Sequence, residues 1–126
     1  MFYVRPPSLN STYKATSVNG HTRLYMSEAG HNFKFEMAML INGIYKGEPL
    51  EGRVKVYMEF HYKHNRGRDI DSGLKITLDS LNEALYKDDN QIRELMIKIY
   101  EGEDEGVFED KIIVKVAKIQ RIGRLF

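Results

Sequence analysis

The sequence predicts an α/β chain of the α+β kind: a single compact domain over residues 1–126, with a mixed β-sheet and helices packed on it. Three observations carry this. Residues 53–62 alternate apolar and polar side chains without a break, the period of a half-buried strand. Residues 27–44 and 71–85 carry apolar side chains at helical spacing. The elements then follow the order strand, helix, strand, helix, strand, strand, which suits helices laid on a mixed sheet. A length of 126 residues fits one domain with a modest core.

Taken in order, Phe2-Tyr3-Val4-Arg5 reads as a short strand closed by Pro6-Pro7. Ser8 to Lys14 is polar and turn-prone. It is either a plain surface connector or a loop offering Asn10, Tyr13 and Lys14 to a phosphate backbone. Ser27 is placed to cap a helix, with Glu28 near the positive end of its dipole. Phe33, Met37, Leu40, Ile41 and Ile44 recur along that helix as core packing, and Gly47 and Pro49 end it.

In the strand over 53–62, Val54, Val56, Met58, Phe60 and Tyr62 share one face, and Lys55, Tyr57, Glu59 and His61 the other. It runs into a basic loop, Lys63-His64-Asn65-Arg66-Gly67-Arg68. His61 and His64 lack companions at zinc-like spacing and read as surface residues. The helix over 71–85 carries an apolar stripe of Leu74, Leu78, Leu81 and Leu85 and a polar stripe of Asp71, Lys75, Asp79 and Asn82. At about 100° per residue the stripes lie about a quarter-turn apart, so the polar one borders the core as a cleft wall does. Residues 87–90 form a turn. Strands over 93–101 and 111–118 are expected to pair as a hairpin with an acidic tip, and residues 120–126 form an arm or a frayed end.

Composition narrows the function. Hydrophobic residues make up 42% and charged residues 29%, ordinary for a soluble fold. No apolar run approaches the roughly 20 residues that span a bilayer, and residues 1–7 do not form a secretory signal. With no cysteine, disulfides and thiolate ligands are excluded. The net charge of +1 hides an asymmetry. Residues 1–27 hold Arg5, Lys14 and Arg23 without an acid, and 111–126 hold five bases without an acid. Residues 101–110 carry six acids and no base, so without them the balance is +7 (+1 plus 6). A basic body with one acidic segment suits a polyanionic partner.

The chemistry concentrates between Arg66 and Ile92. Asp69 and Asp71 stand two apart where a loop meets a helix, and close carboxylates repel unless a cation lies between them. Oxygen-only ligands select Mg²⁺ or Mn²⁺ over zinc. Asp89, in the turn beyond the helix, can complete the site. A helix of about 14 residues is about 21 Å long. Either the chain after Tyr86 doubles back, or Asp89 comes from the other subunit of an interlocked dimer. Lys75, one turn after Asp71, can offset the acids, position a phosphate or stabilise charge developing on it, or else form a simple ion pair with Asp71 or Asp79. The acids do not continue as an EF-hand loop, and His64-Asn65-Arg66-Gly67-Arg68 precedes them where an Asp-x-Asp phosphatase requires the end of an apolar strand. A phosphate-cradling glycine loop and a nucleophile elbow are also missing.

Arg68-Asp69-Ile70-Asp71-Ser72-Gly73-Leu74-Lys75, then Leu78-Asp79-Ser80-Leu81 and Asp88-Asp89-Asn90-Gln91-Ile92, resembles the RusA-type Holliday junction resolvases of bacteria, phages and prophages. Pro6-Pro7-Ser8-Leu9-Asn10 with Tyr13 is similar to that family's opening segment, and Ser27-Glu28-Ala29-Gly30 to its first helix start. The likeness runs from about residue 3 to 119. It implies a cytoplasmic, homodimeric, Mg²⁺-dependent endonuclease that places paired nicks in four-way DNA junctions. It implies that Asp69, Asp71 and Asp89 are the catalytic metal ligands and Lys75 the essential lysine, with Asp79 and Asp88 at acidic positions of secondary role. Lys14, Lys63, Arg66 and Arg68 would then hold DNA. The family usually has Asn where Ser72 stands; Ser72 can cap the helix as Asn would. Two other readings stand beside this one. One is a catalytically weak or inactive dimer that binds branched DNA. The other is an interaction module whose acidic segment docks a basic partner.

Overall fold

The computed structural model describes residues 13–64, 67 and 69–120. The described chain begins with an antiparallel hairpin of β1 (Tyr13–Val18) and β2 (His21–Met26). The turn is Asn19-Gly20, with φ of 51° and 78°. Positive φ at both central residues is what a tight two-residue hairpin needs, and Asn-Gly supplies it at little cost. Tyr13 and Lys14 therefore lie in a strand rather than in the expected loop. The strand expected at Phe2–Arg5, the Pro6-Pro7 stop and Asn10 lie outside the described residues.

Helix α1 (Glu28–Ile44) starts as its sequence dictates. Ser27 Oγ accepts a hydrogen bond from Gly30 N–H (3.2 Å), and Glu28 occupies the first turn. Phe33, Met37 and Ile41 are buried and Leu40 is half-buried, but Ile44 is exposed. The helix stops at Ile44, ahead of Gly47, because Tyr45 turns extended while its N–H still reaches Ile41 O.

Strand β3 (Val54–Tyr62) is the middle of the main sheet. Val54, Val56, Met58, Phe60 and Tyr62 are all buried, as their alternation predicts. Helix α2 (Leu74–Leu81) follows, then β4 (Ile92–Glu101) and β5 (Lys111–Lys118). The sheet order is β4-β3-β5, with β4 parallel and β5 antiparallel to β3. The mixed sheet is as expected, but β4 and β5 do not form a hairpin. The segment between them crosses the end of β3, where Gly102 N–H donates to Tyr62 O (3.0 Å), and Val107 is buried on the way. A strand whose whole inner face is apolar gains from a neighbour on each side, and this crossing supplies the second one.

The core joins the inner face of β3 to Phe33, Met37 and Ile41 of α1, Ile76 and Leu81 of α2, Tyr86 and Ile112. Both helices thus cover one face of the sheet, in one α+β domain. Among the described residues no helix is long and apolar enough to cross a membrane.

Candidate active site

Helix α2 is shorter than the expected 71–85, and its ends build the site. Ahead of it, Ser72 N–H donates to Asp69 O (3.0 Å) and Leu74 N–H to Asp71 O (3.2 Å), so Asp69 to Gly73 form turns. Gly73 is the N-cap, with no side-chain cap. Ser72 does not cap the helix as expected: its hydroxyl is buried with no hydrogen-bond partner among the described residues. The buried side of α2 is Ile76, Thr77, Ser80 and Leu81. Thr77 and Ser80 pack inward because their hydroxyls donate to Gly73 O and Ile76 O, both at 2.7 Å. The core face is therefore rotated from the expected leucine stripe. Leu74 and Leu78 are only half-buried and face the same pocket as the polar stripe.

Beyond Leu81 the chain doubles back at once. Asn82 is extended, Glu83 takes φ +68°, and Glu83 N–H donates to Tyr86 O (2.6 Å). Tyr86 is fully buried, its hydroxyl donates to Leu78 O (3.3 Å), and it bridges to Leu50, whose N–H reaches Leu85 O (2.8 Å). Burial, then the nearby acids Asp89, Asp79 and Asp88, push the Tyr86 hydroxyl far above its ordinary range, so it stays a neutral donor.

A 3₁₀ turn at Asp89–Gln91 follows, with a capping box. Asp88 Oδ1 accepts from Asn90 N–H (3.3 Å). Gln91 Oε1 accepts from Lys87 N–H (2.8 Å) and Asp88 N–H (2.9 Å), while its Nε2 donates to Leu50 O (3.0 Å) and Gly52 O (2.7 Å). Gln91 thus buckles the Asp89 turn to the segment leading into β3. It was not anticipated, although Asp88-x-x-Gln91 is a readable capping signature.

The result is a pocket of about 290 Å³ lined by Asp71, Leu74, Lys75, Leu78, Asp79 and Asp89, all from one chain. Asp69 is exposed in the preceding turn and does not line it. Lys75 Nζ meets Asp79 Oδ2 at 3.3 Å, an i,i+4 pair. The Asp89 carboxyl is raised above its ordinary value by a hydrogen bond with Asp88, then by burial and the negative charges of Asp88 and Asp79, with Lys75 opposing. A cation placed here would relieve that crowding. Among the described residues no three His, Asp or Glu side chains form a ready-made metal cage. The oxygen-only donors nonetheless fit Mg²⁺ or Mn²⁺, because Mg²⁺ keeps several waters and takes one or two carboxylates together with substrate phosphates.

The acidic segment is not a free tip. Asp110 Oδ1 accepts from Lys63 N–H (2.8 Å), and the buried Glu101 accepts from Gly67 N–H (3.1 Å). Gly67 has φ +63°, which glycine adopts without strain. These two acids, also unanticipated, bracket the loop leading to Asp69. Of the expected DNA contacts, Lys63 is exposed at the end of β3. Arg66 and Arg68 lie outside the described residues, as does the side chain of Lys14.

No curated protein matches the chain. The family model described as Endodeoxyribonuclease RusA matches residues 4–116, and RusA nucleases are generally metal-dependent. That match spans most of the chain, and the chain therefore belongs to the RusA endodeoxyribonucleases, enzymes that resolve Holliday junctions.

Proposed function

We propose that the pocket beside α2 is where this nuclease hydrolyses phosphodiesters of a four-way junction, with Mg²⁺ as the working ion and Mn²⁺ as a substitute. The observation that carries this is the convergence of Asp71, Asp79, Asp89 and Lys75 on one pocket. Asp71 and Asp89 would hold the ion, joined by Asp69 from the turn just ahead. A bound divalent ion supplies an acidified water and offsets phosphate charge. Lys75 lies over half exposed, within reach of an incoming strand, and stabilises the charge-rich transition state. Asp79 orients Lys75 through their ion pair, and Leu74 and Leu78 give the pocket a dry apolar side. The Asp89 carboxyl is raised by its hydrogen bond with Asp88, by burial and by the charges of Asp88 and Asp79, and those charges also make a cation welcome. Lys14, Lys63, Arg66 and Arg68 hold the DNA backbone, making binding steeply salt-dependent.

The chain works as one unit over 1–126 and as a homodimer, whose two pockets place the paired nicks. Support for self-association comes from Phe35 (70% exposed) and Met39 (61%), adjacent on successive turns of α1. Such a pair of exposed apolar side chains marks an interaction surface.

The test is incubation of labelled four-way junction and linear duplex with the protein, with and without Mg²⁺. Paired nicking of the junction that needs the ion and disappears in Asp71→Asn is the expected outcome. Junction binding with no cleavage in either Mg²⁺ or Mn²⁺ refutes the catalytic reading and leaves a DNA-binding dimer.

A further inference from the structure

Among the described residues nothing covers the face of the sheet turned away from the helices, and that face is basic and aromatic. Register places Tyr57 of β3 beside Met96 of β4 and Lys115 of β5, and His61 beside Tyr100 and Lys111. Lys55 and Lys98 share this face, and Lys55, Lys98, Lys115 and Met96 are exposed. Lys115 Nζ stands 5.6 Å and Lys98 Nζ 6.0 Å from the centre of the Tyr57 ring. The His61 and Tyr100 rings stack, with centroids 4.9 Å apart and planes 29° from parallel.

Two carboxylates, Glu59 and Glu94, lie among these four lysines. Glu59 is engaged within the face: it accepts from the Tyr57 hydroxyl and contacts His61 Nε2 at 2.8 Å. Those two partners hold the Glu59 carboxyl below its ordinary range, and the Tyr57 hydroxyl is pushed up to about 12. Tyr57 is therefore a neutral ring held in place by its hydroxyl and flanked by ammonium groups.

A second copy of the chain is a poor occupant. A two-fold contact would set this lysine-rich face against a second lysine-rich face, and lysine is depleted from the centres of protein interfaces. A single strand of nucleic acid matches the chemistry point for point. Bases stack on exposed aromatic rings of an open sheet while phosphates meet the surrounding lysines.

We propose that this open sheet face is a second DNA site, separate from the aspartate pocket, that takes a single-stranded stretch: Tyr57 stacks against a base, and Lys55, Lys98, Lys111 and Lys115 receive the flanking phosphates. The site would hold unpaired strand at a junction centre or a nicked product end. It rests on the family's handling of DNA and not on the chemistry of the pocket.

The experiment is fluorescence anisotropy of labelled oligothymidylate against the full chain over a range of salt. Lys98→Glu combined with Lys115→Glu removes two phosphate contacts, so affinity falls at least tenfold and the slope of log affinity against log salt flattens by about 1.4. Tyr57→Ala weakens binding about fivefold or more, and Tyr57→Phe keeps the ring and most of the affinity. Asp71→Asn, which tests the pocket, leaves oligothymidylate affinity unchanged while abolishing nicking, so the two readings fail separately. Oligothymidylate affinity within twofold of wild type in the double charge reversal overturns the proposal. So does sedimentation showing that the double charge reversal changes the oligomeric state.

Discussion

Gln91→Ala is the change that most sharply tests how the pocket is held. The Gln91 side chain makes four hydrogen bonds to backbone, two accepted from Lys87 and Asp88 and two donated to Leu50 and Gly52. A hydrogen bond of this kind is worth about 1 kcal/mol net when buried and about half that where water can replace it. These four lie at a partly exposed site, so the sum is about 2 kcal/mol. For a chain of this size that is a fall in melting temperature of about 8 °C. Gln91→Glu retains both accepted bonds but sets a carboxylate against two carbonyls, and should lose at least half as much. Gln91 touches neither the metal nor the phosphate in our reading; it is a positioning residue for Asp89. Loss of such support costs about 10–100-fold in metal affinity or activity. Thermal melts should therefore be paired with a Mg²⁺ titration of junction nicking, in which Gln91→Ala needs at least tenfold more ion. A variant that melts within about 1 °C of wild type refutes the clasp, and one that loses stability but keeps its Mg²⁺ requirement refutes the coupling to Asp89.

Two further outcomes follow from the same region. Tyr86→Ala leaves a large void between α2 and the returning chain and should lose about 3–5 kcal/mol in denaturant melts, whereas Tyr86→Phe loses only the hydroxyl bond to Leu78, about 0.5–1 kcal/mol. For Asp89 the folded carboxyl value is raised above the unfolded one, so its contribution to stability is present at low pH and is lost as pH rises through the folded value. Asp89→Asn without metal should therefore melt about 1–2 °C higher than wild type near neutral pH, as expected for removing one like-charge contact, with the gain vanishing near pH 3; added Mg²⁺ should stabilise wild type and not the variant.

What the sequence makes legible here is set by how local the cause is. The alternation in β3 is readable because one face of that strand is buried along its whole length, and the start of α1 because Ser27 and Glu28 act on the next turn of chain. The β1–β2 hairpin was readable too, from Asn19-Gly20, but the polar residues before it pointed to a loop. The partners of β4 and β5 were not readable. Strands adjacent in sequence usually pair, but here β4 and β5 flank β3, the strand whose inner face meets both helices, and that long-range arrangement leaves no local signal. In the site, i,i+4 spacing carried Lys75 and Asp79 to one side of α2, and Asp71 joins them from the turn ahead of the helix. The approach of Asp89 depended on where the helix ends, which Asn82 and the positive φ of Glu83 determine and hydrophobic period does not.

The sheet order and the pocket are consequences of one another. Had β4 and β5 paired as a hairpin, Glu101 would still stand beside Tyr62 at the end of β3, but Asp110 would start a strand on the far side of β4. Because the connection passes across the end of β3, Asp110 meets Lys63 N–H, while Glu101 at the end of β4 meets Gly67 N–H two residues before Asp69. On the other side, Gln91 and Leu50 tie the Asp89 turn to the segment entering β3. The carboxylates of the pocket are therefore supported from both ends of the same central strand. Carboxylates gathered at one pocket need such bracing, since like charges without a cation between them push apart. The acids of 101–110, which in composition look like a counterweight to a basic body, include two that accept from the backbone of Lys63 and Gly67.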